Sequence, residues 1–312
     1  MLFGSEEQIN DCLHEAQQFA KQNNMKLVFG AMVGSVSKDL QYISSDYDTR
    51  FLYLREDYPE KVCLPWEMTE DELVKRYYPQ NKVFEWIPFW ELTSFLNFLY
   101  KPSFKNDFSV GLYNIVGWTI KSPFTWDPYG LKSKLSPILD LCFNKNFEIS
   151  YHMSILKRQH NDWEKEKIES RRWLDSLHAA ATIEWCIEYN NQPPIDIHSL
   201  LLGLRHSDLH EIVKDIFASA RNEMRALANR VDRPSNLSSY SATIKSDRNE
   251  ELSNYLKNIY GMVQGMELNL CPNEEHRQYV NDMLSIVNTS INEREDLIFD
   301  SEFENVLCSA VQ

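Results

Sequence analysis

The chain has 312 residues, 43% hydrophobic and 25% charged, the balance of an ordinary folded protein long enough for one large unit or two domains. Its formal net charge of -14 gives no global field that would gather nucleic acid, so any such contact needs a local basic patch. No stretch reaches the roughly 18 apolar residues of a membrane span.

Taken in chain order, the first predicted element is a helix over 5–23, with Ile9, Leu13, Ala16, Phe19 and Ala20 at helical spacing. The run "MKLVFGAMVGS" reads as a buried strand, and "DTRFLYLRE" as a second strand with Phe51 and Tyr53 on one face and Leu52 and Leu54 on the other. "TEDE" makes a capping box that predicts a helix starting at Thr69. "KVFEWIPFW" reads as a third strand broken or edged by Pro88, and "WELTSFLNFLY" as a helix carrying Leu92, Phe95, Leu96 and Leu99. "VGLYNIVGW" looks strand-like. "SPFTWDPYGL" (122–131) is rich in turn residues and reads as a boundary. Beyond it the long helical candidates are 161–190, 207–230, 247–265 and 274–293, with a polar loop at 232–247 and an acidic tail. The expected fold is α+β: a small mixed-sheet domain over 1–130, then an all-helical domain over 131–312.

The six cysteines form no Cys-x-x-Cys pair and read as buried, reduced thiols. "MLFGSEEQIN" has no basic region followed by an apolar run, so no secretory signal is expected and the expected location is cytoplasmic.

The stretch that carries chemistry is "GSVSKDLQYISSDYDTR" (34–50). Gly34 and Ser35 close one predicted strand, ten residues intervene, and Asp46 and Asp48 open the next. Alternate side chains of a strand share a face, so two carboxylates at i and i+2 can share a divalent cation or hold two about 4 Å apart. Mg²⁺ takes such hard oxygen ligands and completes its shell with water and substrate phosphate. A glycine lets a backbone N–H approach a phosphate, and the serine hydroxyl adds a donor. The other reading of the bare Asp-Tyr-Asp triplet is a polar turn or helix cap.

The ordered set of strand, Gly-Ser, Asp-x-Asp and strand resembles the signature of the DNA polymerase β-like nucleotidyltransferase superfamily. Within it, "GS…SSDYDTRFLYL" is similar to a predicted nucleotidyltransferase family of an RNA-repair pathway. The likeness covers Val28 to Leu54 and extends to 84–102 and to "RRWLDSLHAAATIEWCIEYNNQPPI". Val36 stands where members often carry arginine. The resemblance implies an enzyme using Mg²⁺ or Mn²⁺ and an NTP, with Asp46 and Asp48 as metal ligands and Gly34, Ser35 and Arg50 at the nucleotide. It also implies a third acid, for which Glu85 is the first candidate and Glu91 the second, with Asn114 as a degenerate substitute. The implied reaction moves an NMP to a hydroxyl acceptor (a nucleic-acid end such as RNA or tRNA, or a protein) and releases pyrophosphate. The alternative is a degenerate fold acting as a regulatory or toxin–antitoxin-type binding protein without turnover.

Other groups have bland readings beside functional ones. Lys165, Arg171 and Arg172 could line a nucleotide or RNA groove, or belong to a solvated helix. His178 could meet a phosphate, or sit satisfied between helices. His206 and His210 have zinc-like spacing with no third ligand near in sequence. Tyr113, Trp118, Trp126 and Tyr129 could stack a base or fill a core.

Overall fold

The computed structural model describes residues 6–35, 37–40, 48–55, 74–78, 87–100, 110–123, 125–163, 170–228, 246–270 and 274–293. The chain divides into two compact units, one of Met1–Ser37, Asp46–Phe143 and Cys271–Gln312, the other of Lys38–Ser45 and Asn144–Leu270.

The first unit is built on strands β1 (Met25–Val33), β2 (Asp48–Arg55), β3 (Val74–Tyr77), β4 (Ile87–Glu91) and β5 (Thr125–Trp126), in the order β3-β4-β2-β1-β5. β1 is antiparallel to β2 and β5, β3 is antiparallel to β4, and β2 and β4 run parallel. The sheet is therefore mixed, as the α+β reading expects. A register shift between Leu27 and Phe29 lets the long apolar strand β1 keep its pairing to the end, where Val33 faces Asp48.

Both sheet faces are covered, which is why β1 is apolar from Leu27 onward and not alternating. Helix α1 (Glu6–Gln22) lies on one face: Phe19 packs on Phe89 and Tyr77, and Phe89 stacks on Phe51 at 5.4 Å. Phe51 needs the bare Cα of Gly30, because a Cβ there would come within 2.7 Å of its ring. Asn24 turns α1 into β1 at a φ of 53°, a left-handed value that asparagine tolerates. On the other face lie α2 (Leu92–Asn97), whose Phe95 and the following Phe98 meet Trp90 edge-on, and α3 (Val110–Ile120). Helix α4 (Leu131–Leu141) follows.

Three sequence expectations change here. "VGLYNIVGW" lies within the helix α3; an apolar run of that length has no period to separate strand from buried helix. Val74–Tyr77 is a strand, so no helix from Thr69 runs through it; Thr69 itself lies outside the described residues. The turn-rich 122–131 stretch contributes β5 to the sheet. Pro88 stands where pairing with β2 ends, since that ladder starts at Phe89.

The second unit is helical: α5 (Lys145–Gln159), α6 (Ser170–Tyr189), α7 (Ile197–Gly203), α8 (Ser207–Ala228) and α9 (Ser246–Gln264). Asn144 caps α5 and Asp196 caps α7 through side-chain oxygens. Residues 38–40 join it through the Ile197 N–H, which donates to the Lys38 carbonyl at 3.0 Å. The last described helix, α10 (Glu274–Asn292), belongs to the first unit, where Lys134 donates to Ser290 and His276 meets the Leu99 carbonyl. Among the described residues no helix is long and apolar enough to cross a membrane.

Candidate active site at the start of β2

The site is built where β1 ends and β2 begins. Antiparallel pairing closes on Val33 and Asp48. The chain then turns through Gly34 with φ at +67°, a left-handed conformation that side-chain-bearing residues resist. A second constraint falls on the same atom: a Cβ on Gly34 would lie 2.1 Å from Oδ2 of Asp48. The glycine is thus required both for the turn and for the carboxylate pressed against it. Ser37 Oγ donates to the Gly34 carbonyl at 3.0 Å and holds the turn, while Ser35 is half-buried beside it.

Asp48 is exposed, Thr49 buried and Arg50 half-buried. The strand period puts Asp48 and Arg50 on one face, roughly 6–7 Å apart along the chain. Arg50 extends to α3, where Nη1 donates to Thr119 Oγ1 at 3.2 Å. Thr119 carries no signal in the sequence as a site residue, because it lies 69 positions away, just past a segment that reads as a strand. Asp46, Glu85 and Val36 lie outside the described residues. Among the described residues no group of three His, Cys, Asp or Glu side chains could hold a metal ion. The part that is described, one exposed carboxylate against a glycine turn, offers a hard oxygen donor at a place where backbone can approach a ligand closely.

Glu91 is corrected as a third acid. Its carboxylate accepts from the N–H groups of Thr93 (3.1 Å) and Ser94 (2.7 Å), capping α2. The parallel register sets it opposite Tyr53, five residues beyond Asp48, or roughly 16 Å along the strand. Asn114 is corrected as well: it sits on a buried helix and not on a strand beside β2.

Several of the remaining candidates have packing partners. His178 is buried and its Nε2–H donates to the Ile195 carbonyl at 2.8 Å. His206 meets Glu184 at 2.8 Å while His210 faces His198, so the two rings of the zinc-like pair have different partners. Trp126 and Tyr129 are buried and Trp118 is half-buried; the Tyr113 side chain is outside the described set. Arg172 is exposed, and the side chains of Lys165 and Arg171 lie outside the described residues. Cys142 and Cys186 are buried, and burial raises both thiols, Cys142 to about 12, so they are inert at neutral pH.

The model of the RNA repair pathway DNA polymerase beta family matches residues 9–235. The chain belongs to that family. The match contains β1, the Gly34 turn, β2 and the helices through α8, so the RNA repair pathway DNA polymerase beta family assignment covers the site and most of the helical unit. It makes the protein one of the polymerase β-like, nucleotidyltransferase kind. No curated protein matches the chain.

Proposed function

We propose that the protein is a divalent-metal-dependent nucleotidyltransferase that moves an NMP from an NTP to a hydroxyl acceptor, releasing pyrophosphate. The observation that carries the reading is the Gly34 turn, left-handed and pressed on the Asp48 carboxylate at the start of β2. An acceptor oxygen attacks the α-phosphorus, a P–O bond forms, the bridging α–β P–O bond breaks, and pyrophosphate leaves with the electron pair. The hydroxyl proton passes to a carboxylate or water. Such chemistry asks mainly for positioning and charge neutralisation.

In this reading Asp46, Asp48 and Glu85 hold Mg²⁺ or Mn²⁺, which when bound neutralises the charge on the triphosphate. Glu85 precedes β4 by two residues, and β4 runs parallel to β2, so its start is the end nearest Asp48. The opposite location of Glu91 supports the same choice. Gly34 and Ser35 offer backbone N–H groups and a hydroxyl to phosphate oxygens, and Arg50 adds a fixed fork of donors. RNA or tRNA ends, DNA ends and protein side chains are the acceptor classes to compare.

The test incubates the protein with labelled NTPs, Mg²⁺ or Mn²⁺, and RNA, DNA and protein acceptors. Incorporation that depends on Asp48 is expected. Incorporation that survives both Asp46→Asn and Asp48→Asn would overturn the assignment. Tight NTP binding without pyrophosphate release would instead make the chain a regulatory or toxin–antitoxin-type binding protein.

A further inference from the structure

Arg50 has one side chain directly across from it on β1, that of Ala31. Facing residues of an antiparallel pair share a face, so the small alanine leaves the arginine stem room to lean toward α3. There it reaches Thr119, a fully buried residue one position before the end of the helix. Thr119 Oγ1 donates its single hydrogen to the Ile115 carbonyl, four residues back, at 2.7 Å. With that proton spent, the hydroxyl can only accept toward Arg50, and a guanidinium can only donate. The contact has a fixed polarity, and its threonine side is fully buried.

The support for this hydroxyl is independent of Arg50. Just past α3, Ser122 Oγ donates to the Met32 carbonyl on β1, and Lys132 donates to the Ser122 carbonyl. Met32 pairs with Thr49, the residue between Asp48 and Arg50. The helix end is therefore tied to the same strands that carry the site, whatever occupies position 119.

We propose that Thr119 is a positioning residue: it fixes one arm of the Arg50 guanidinium, and with it the orientation of the fork, on the Asp48 face where the phosphates of the nucleotide would bind. The inference rests on the nucleotidyltransferase reading of that face. Arginine binds phosphate well because its planar fork loses little freedom on binding, and that benefit requires the fork to be held beforehand. Thr119→Val keeps the branched shape and removes the acceptor.

The experiment measures Mg²⁺–NTP affinity of the full chain by calorimetry, with each ribonucleoside triphosphate in turn, and KM and kcat where turnover is found. Thr119→Val is expected to weaken NTP binding about tenfold, the worth of one charged hydrogen bond. Thr119→Ser should restore it, and kcat should change less than KM. In an Arg50→Gln background Thr119→Val should cost nothing more, because the group it positions is gone. Thr119→Ala gives the same reading if the valine variant folds poorly. Wild-type affinity in Thr119→Val, or a full additive loss on top of Arg50→Gln, overturns the inference while Asp48-dependent binding keeps the broader reading. A wild-type chain that binds no NTP overturns both.

Discussion

Two polar clusters in this protein meet opposite fates. At the start of β2, Asp48 is exposed and Arg50 half-buried, beside a glycine held in a left-handed turn. In the helical unit, Glu148 and His152 on α5 and His178 on α6 are buried, with the His152 Nε2 3.3 Å from the Glu148 carboxyl and the two imidazoles 5.8 Å apart. Burial raises Glu148 to about 8, moderated by the Lys38 charge, and it drives His152 and His178 well below their usual range, helped by Lys38. The helical cluster is thus held neutral near pH 7, as groups without solvent must be. The contrast separates a place where charged groups reach solvent from one where charge is suppressed for packing.

The largest effect expected from breaking this contrast is at Asp48. Asp48→Asn should lower NMP transfer by on the order of 10³-fold, because in the proposed reading it removes a carboxylate that would hold the charge-neutralising cation. Its melting temperature should stay near wild type, since the side chain is exposed. A matched loss of stability would show that Asp48 is structural. Gly34→Ala comes next. It forces a side chain into the left-handed region, at roughly 1–2 kcal/mol, and drives a methyl into the carboxylate. Activity should fall at least tenfold with a drop of a few degrees in melting temperature. A variant with wild-type activity would break the link between the turn and the site.

Much of this site is legible in the sequence, because its parts are local. The apolar run ending in Gly-Ser and the Asp-Tyr-Asp before an apolar strand name β1, the turn and β2 directly. What is not legible depends on distant pairing. Glu91 reads as a candidate third acid because it precedes a helix, and only the parallel register with β2 removes it from Asp48. Thr119 is hidden because α3 is apolar on nearly every side, leaving no period to mark a helix. The two-residue strand β5 is hidden among turn residues, and its pairing with Gly30 and Ala31 is what makes it a strand.

The pH dependence of stability sharpens the buried side of the comparison. The folded protein holds the Glu148 proton up to about pH 8, whereas the unfolded chain releases it near 4.5. That stability is fully present below about 4.5 and declines as pH rises toward 8. The histidines have the opposite sign: their folded values are depressed, so stability is present above 6.5 and is lost as pH falls below it. Two imidazoles outweigh one carboxyl below 6.5, and the carboxyl alone acts above it, so this cluster places the stability maximum near pH 6.5. Melting curves from pH 5 to 9 test this. Glu148→Gln should abolish the decline on the alkaline side, on the order of a few degrees, and leave the acid side in place. An unchanged alkaline limb would mean that Glu148 is ionised in the fold.

The smallest effect is expected where a solvated carboxylate meets an imidazole. Asp39 faces His198 at 3.5 Å, with Asp39 mostly exposed, in the segment that leaves the Gly34 turn for the helical unit. An exposed pair at that distance contributes about 0–1 kcal/mol, because water screens it and two side chains must be held still. Asp39 also has φ at +52°, a conformation that asparagine accepts as readily as aspartate. Asp39→Asn therefore removes the charge without disturbing the backbone, and the backbone tie from the Ile197 N–H to the Lys38 carbonyl remains. The melting temperature should move by no more than about 2 °C, and raising the salt concentration should erase even that difference. A loss as large as that of Gly34→Ala would mean that the pair acts as a clamp on the segment, and the division between a solvated charge and a working one would have to be redrawn at residue 39.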